Sequence, residues 1–87
     1  MLKFHAEIRI RLRPSILDPK GKASQHALTN LGFNSVEQVR IGKLIDLTIQ
    51  ASSEDEARSQ AEEACRQLLV NEVMEDFDIS LTELKTA

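Results

Sequence analysis

The stretch SVEQVRIGKLIDLTIQA, residues 35–51 of an 87-residue chain, decides the fold. Its apolar residues Val39, Ile41, Ile45, Leu47, Ile49 and Ala51 fall at odd positions, the period of two that marks a strand with one buried face. Gly42 and Lys43 divide the run. A two-residue hairpin on that pair sets Val39 opposite Asp46 and puts a carboxylate in the core. A three-residue loop, Gly42 to Leu44, pairs Ile41 with Ile45 and Val39 with Leu47 and keeps the faces matched. One long strand kinked at Gly42 preserves the phase equally well, and sends the two halves of the chain into different protomers.

Upstream, DPKGKASQHALTNLGF (residues 18–33) carries both ends of a helix. Asp18 is a favoured N-cap, Pro19 suits the first helical position, and Gly32 sits where helices stop in the left-handed conformation. Ala23, Ala27, Leu28 and Leu31 form an apolar stripe at helical spacing. Capping does not explain Gly21, which costs up to about 1 kcal/mol relative to Ala inside a helix. Its presence predicts that something packs closely against the first turn. LDPKGKA (residues 17–23) is not a phosphate-cradling loop, because that motif needs a second glycine and a hydroxyl that are missing here.

Further upstream, LKFHAEIRIRLR (residues 2–13) alternates without a break. Leu2, Phe4, Ala6, Ile8, Ile10 and Leu12 share one face, with Lys3, His5, Glu7, Arg9, Arg11 and Arg13 on the other. Pro14 cannot donate to a ladder and ends the strand. Downstream, SSEDEARSQAEEACRQLLVN (residues 52–71) opens with capping-box spacing at Ser53 and Glu56 and an acidic first turn. Ala57, Ala61, Ala64, Cys65 and Leu68 make a narrow stripe whose small side chains predict close approach to a sheet. VMEDFDISL (residues 73–81) reads as a last strand with Phe77, Ile79 and Leu81 inward, and residues 82–87 read as a frayed tail.

The order β-α-β-β-α-β predicts a single α+β domain over residues 1–87. The expected fold is ferredoxin-like, a four-stranded antiparallel sheet with two helices on one face, segment-swapped in a dimer if the long-strand option holds. The uncovered sheet face, with Arg9, Arg11, Asp46, Asp76 and Asp78, is the expected oligomer face. A small core and a bare sheet face together predict at least a dimer.

Composition narrows the function. Residues 1–43 hold eight Lys/Arg against three acids, and residues 44–87 three against eleven. The balanced reading is that the halves interleave in the fold, with Arg9 and Arg11 pairing with aspartates across strands. The outward phase also brings Asp46, Asp76 and Asp78 to that face, a set that could hold Mg²⁺, but Arg9 and Arg11 share the face and pairing with them is the favoured reading. RNA binding on such a sheet uses exposed aromatics, and the chain has neither Tyr nor Trp. His5 and His26 lack an acid at triad-like spacing. Cys65 falls in the apolar stripe, and no Cys/His pair has zinc spacing. No apolar run is long enough for a membrane span, and the N-terminal alternation is unlike a secretory signal, so a cytoplasmic location is expected.

IRIRLRPSILDPKGKA, LTNLGF, VEQVRIGKLIDL and LLVNEVMEDFDI, in that order, resemble the PurS family, the small subunit of phosphoribosylformylglycinamidine synthase. The specific pieces are Leu12, Pro14, Asp18, Pro19 and Gly21 in one run, and Arg40, Gly42 and Lys43 in another. Glu72 stands where the family often has proline, which leaves the turn before the last strand open. The resemblance implies a subunit with no catalytic residues and no cofactor of its own. It implies two partners, a glutaminase (PurQ type) that releases ammonia and a large synthetase (PurL type) that uses ATP and Mg and transfers the ammonia. Asp18, Pro19, Gly21, Arg40, Gly42 and Lys43 are the expected partner contacts. The alternatives are a ferredoxin-like RNA-binding module, whose affinity falls steeply with salt, and a regulatory module binding a small effector between protomers.

Overall fold

The computed structural model describes residues 1–85. Strand β1 (Leu2–Leu12) is followed by helix α1 (Pro19–Asn30), strand β2 (Lys43–Ala51), helix α2 (Glu54–Ala64), which runs on into a π-helical turn (Cys65–Leu69), and strand β3 (Glu75–Leu84). The sheet has three strands in the order β2-β1-β3, both pairings antiparallel. The alternation in β1 sets its faces: Phe4, Ala6, Ile8 and Ile10 are buried, and Ile8 lies opposite Ile45 on one side and Ile79 on the other. Helix α2 covers this face through Ala57 and Ala61, both fully buried, so the absence of longer side chains lets it sit close. Cys65 and Val70 extend the same core over Ile8 and Ile10. Strand β1 lies between the strands that follow Gly42 and Glu72, as a ferredoxin-like order requires.

Four expectations need correction. The fourth strand is absent among the described residues: residues 36–42 form no ladder and no turn, and β2 begins only at Lys43. Only α2 contacts the strands. Helix α1 packs on no other helix or strand, and its Ala23, Ala27 and Leu31 are exposed. The stripe was a valid sign of an apolar face, but no helix or strand among the described residues packs on it, and only Leu28 is half-buried. Leu68 is 82% exposed, because the π turn, closed by the Val70 N–H on the Cys65 carbonyl at 2.9 Å, inserts an extra residue and brings Leu69 toward the sheet instead. The tail expected from residue 82 is strand through Leu84, paired with Lys3, and residues 86–87 lie outside the described residues.

The chain is extended for its size. Its radius of gyration is 16.9 Å, against about 12 Å for a compact domain of this length. The accessible surface is 6311 Å², roughly 1,100 Å² more than the ~5,200 Å² typical of a folded monomer of this mass. Helix α1, which packs on none of the strands, and the segment behind it, residues 33–42, together form an arm.

Candidate partner-binding surface

The expected contact residues meet where the arm joins the sheet. Asp18 caps α1 as expected, its Oδ1 accepting the Gly21 N–H at 3.0 Å. Its Oδ2 accepts a second donor, the Ile41 N–H, at 2.7 Å. These two amides, with Arg40 nearby, hold the Asp18 carboxyl below the usual carboxylate range, the Ile41 bond contributing most and burial opposing it. The structure also gives Gly21 its reason. A Cβ there would stand 2.1 Å from the Val39 carbonyl oxygen, so the strap formed by residues 36–42 crosses directly over the first turn. Farther along, Gln25 Nε2 donates to the Glu37 carbonyl at 2.6 Å.

Arg40 was expected as a partner contact. It is half-buried, and its Nη2 donates to the Arg13 carbonyl at 2.9 Å and the Leu12 carbonyl at 3.3 Å, tying the strap to the end of β1. Gly42 is forced by the same approach, since a Cβ would stand 2.4 Å from the Ile10 carbonyl oxygen. Lys43 is exposed, and its Nζ lies 3.3 Å from Glu75 Oε2. Asp18, Pro19, Gly42 and Lys43 thus line one open cavity of about 430 Å³, with Ile10, Leu12 and Ile41 as its apolar wall. Gly21 and Arg40 stand behind it and fix the strap.

The outer sheet face is polar and paired within the chain. Arg9 Nε is 2.7 Å from Asp78 Oδ1, Arg9 Nη1 is 2.7 Å from Glu7 Oε1, and Arg9 Nη2 donates to Ser80 Oγ at 2.7 Å. Asp46 takes His5 at 2.7 Å. Asp76 lies opposite Arg11 in the ladder, yet its ion pair is with Arg13 at 3.4 Å. Arg13 also donates to the Glu72 carbonyl at 2.5 Å, which steadies the turn left open by the sequence. The aspartates are spread over both edge strands, each beside a basic side chain, and among the described residues no group of three or more ligand side chains is placed to hold a metal.

Sequence reasoning missed Glu75 and Gln25. Glu75 had a readable signal: it shares the inward phase of Phe77 and Ile79, where an acid demands a partner, and Lys43 occupies the inward phase of β2. Gln25 gave no signal, because a polar residue on a helix is equally at home in water. The basic and acidic halves interleave in the sheet through Arg9, Arg13 and Lys43, while Lys20 and Lys22 on α1 form no ion pair with the described residues.

Comparison with known proteins gives a consistent result. The family model for PurS, phosphoribosylformylglycinamidine (FGAM) synthase, matches residues 5–83. The chain is 46% identical over 84 residues to the PurS subunit of phosphoribosylformylglycinamidine synthase from Synechocystis sp., covering 97% of this chain and 84% of that one. It is 40% identical over 81 residues to the Bacillus subtilis subunit, covering 93% and 95%. Among solved structures, Methanocaldococcus jannaschii PurS, one of the subunits of formylglycinamide ribonucleotide amidotransferase, superposes with a TM-score of 0.85 at 35% identity, covering 94% of this chain and 99% of that one. A chain of PurLQS from Thermotoga maritima does so with a TM-score of 0.85 at 31% identity, covering 97% and 100%.

Proposed function

This chain belongs to the PurS family of phosphoribosylformylglycinamidine synthase subunits, and on that premise we propose that it is the small subunit of that synthase in purine biosynthesis, acting without catalytic groups of its own. Its partners are then a PurL-type synthetase and a PurQ-type glutaminase. The synthetase holds the ATP and Mg and converts formylglycinamide ribonucleotide to formylglycinamidine ribonucleotide with ammonia from the glutaminase. The small subunit bridges the two and assists the transfer of ammonia. The observation that carries this reading is the match to a chain of a PurLQS assembly along that chain's whole length. A cytoplasmic site of action follows from the pathway, and no helix among the described residues is long and apolar enough to cross a membrane.

Self-association belongs to the same reading. Among the described residues no helix or strand packs on the apolar side of α1 and both edges of the sheet are open, and the chain carries about a thousand Å² more surface than is typical of its mass. A second copy would cover α1 and pair with the strap, so that the fourth strand forms only on assembly and one domain is completed by exchange of segments. Gly42 is the natural swivel of that exchange.

Reconstitution decides the main reading. Synthetase and glutaminase subunits from the same source should make the product from glutamine only when this chain is added. Full glutamine-dependent activity without it would remove the proposed role.

A further inference from the structure

One carboxylate holds two backbone amides that belong to different parts of the arm. Capping α1 needs only the Gly21 bond to Asp18 Oδ1; the Ile41 bond to Oδ2 is one that no cap requires. An asparagine would cap as well as an aspartate, but its side chain has one acceptor oxygen instead of two. A carboxylate is therefore needed at this position only if the strap must be held as well. The strap is fixed at further points, by Gln25 on the Glu37 carbonyl and by Arg40 on the carbonyls of Leu12 and Arg13. Residues 37, 39 and 41 turn their backbone groups toward α1, yet the N–H groups of Gln38 and Arg40, on the opposite side of an extended chain, find no acceptor among the described residues. A main chain held still by side chains on one side, with free donors at alternate residues on the other, is a template for strand pairing.

We propose that Asp18 is a positioning residue: by holding Ile41 while it caps α1, it sets residues 37–41 as a fixed edge on which a second copy of this chain pairs. The surface balance favours a second copy as the occupant. The excess of roughly 1,100 Å² is of the size that one partner of a standard interface contributes, about 800 Å². The strap is also continuous with the exposed apolar side chains of Leu31 and Phe33, 74% and 55% exposed, so pairing and apolar burial would form one patch. The inference rests on the self-association read above and supplies its local cause.

The test uses the full chain and two variants, Asp18→Asn and Asp18→Ala, followed by amide hydrogen exchange, circular dichroism and light scattering over a concentration series. In Asp18→Asn the local cap bond, which closes over three residues, should survive and helicity should match the parent. The Ile41 amide should exchange at least about tenfold faster, and the dissociation constant for self-association should rise about tenfold or more. Asp18→Ala should lose helicity as well, which separates capping from holding the strap. Unchanged Ile41 exchange in Asp18→Asn overturns the second bond's role. Released Ile41 with unchanged association overturns the positioning role. A parent chain that stays monomeric at millimolar concentration overturns the second copy as occupant, while reconstitution with the two larger subunits still decides the proposed function separately.

Discussion

The Val39 carbonyl oxygen lies 2.1 Å from the point where a Cβ on Gly21 would stand, closer than any side chain tolerates. Helix α1 and the strap are therefore packed backbone to backbone, in a chain whose α1 touches no strand. The arm is held by this contact and by Arg40 on the carbonyls of Leu12 and Arg13, apart from the packing of α2 on the sheet.

Gly21→Ala tests that separation. Helix propensity alone favours alanine by about 1 kcal/mol. The clash with a backbone oxygen should reverse the sign, with about 1–3 kcal/mol lost from the arm, as for overpacking elsewhere. Amide exchange at Ile41 should report the loss. Thermal unfolding of the sheet should stay within about 0.5 kcal/mol of the parent. A variant with better protected Ile41 would show that the strap moves aside without cost.

Acid should release the strap before it unfolds the sheet. The Asp18 carboxyl is held below its ordinary value of 3.8 in the folded chain, chiefly by the Ile41 and Gly21 amides. A depressed folded pKa stabilises fully above the unfolded value and is lost as pH falls through the folded one. The Ile41 amide signal in a pH titration should therefore be constant above about pH 4 and change below it. Glu56 is depressed in the same direction by the Ser52 hydroxyl, but it acts on α2. In Asp18→Asn the Ile41 titration should vanish while the response around Glu56 remains.

Lys43 separates docking from local pairing. Its partner Glu75 has a side chain only 13% exposed, while Lys43 is 58% exposed and accessible to another subunit. Lys43→Ala should leave the secondary structure intact and weaken assembly with the two larger subunits, since truncating one side of a charged interface contact costs about 2–5 kcal/mol. Activity with glutamine should fall much more than activity with ammonium salt, which bypasses the glutaminase. Unchanged assembly and unchanged activity on both nitrogen sources would assign Lys43 to Glu75 alone.

The π turn predicts an inversion between neighbours. Leu68→Ala should change stability by less than about 0.5 kcal/mol, as for an exposed side chain. Cys65→Ser puts a hydroxyl in a fully buried site of the apolar core and should cost about 1–3 kcal/mol. Burial also pushes the Cys65 thiol up, so thiol reagents should label the native chain slowly and the denatured chain at once. Chemical denaturation and timed alkylation read both effects.

Much of this fold was legible in the residues. The phase of β1 gave its buried face, the caps at Asp18 and Ser53 placed both helix starts, and Gly32, at φ 100°, is the expected left-handed stop. Glycine at position 21 announced a close contact before its partner was visible. Periodicity failed where it was asked which surface covers a face. The alanines of α1 and the odd-numbered residues from Val39 to Ile41 carry patterns of burial, but burial within one chain and burial between chains leave the same pattern. The π turn was hidden for a different reason: one extra residue in a helical turn leaves no mark in composition, and moves the inward position from Leu68 to Leu69. In the surface, the individual residue types of the contact region were readable, while Glu75 and the engagement of Arg40 needed the register of the strands.

Strands β1 and β2 are antiparallel neighbours, with Ile10 opposite Lys43, so everything between them is an excursion from the tip of what is otherwise a plain ribbon. Closing a ribbon over a long excursion costs little more than over a moderate one, because loop entropy grows only with the logarithm of length. The excursion can therefore change in length and in surface chemistry with little penalty to the sheet beneath it. Related subunits that serve differently shaped synthetases would be expected to diverge first at its exposed positions, such as Asn34 and Ser35, and to keep Asp18, Gly21, Arg40 and Gly42, which hold the strap, nearly fixed.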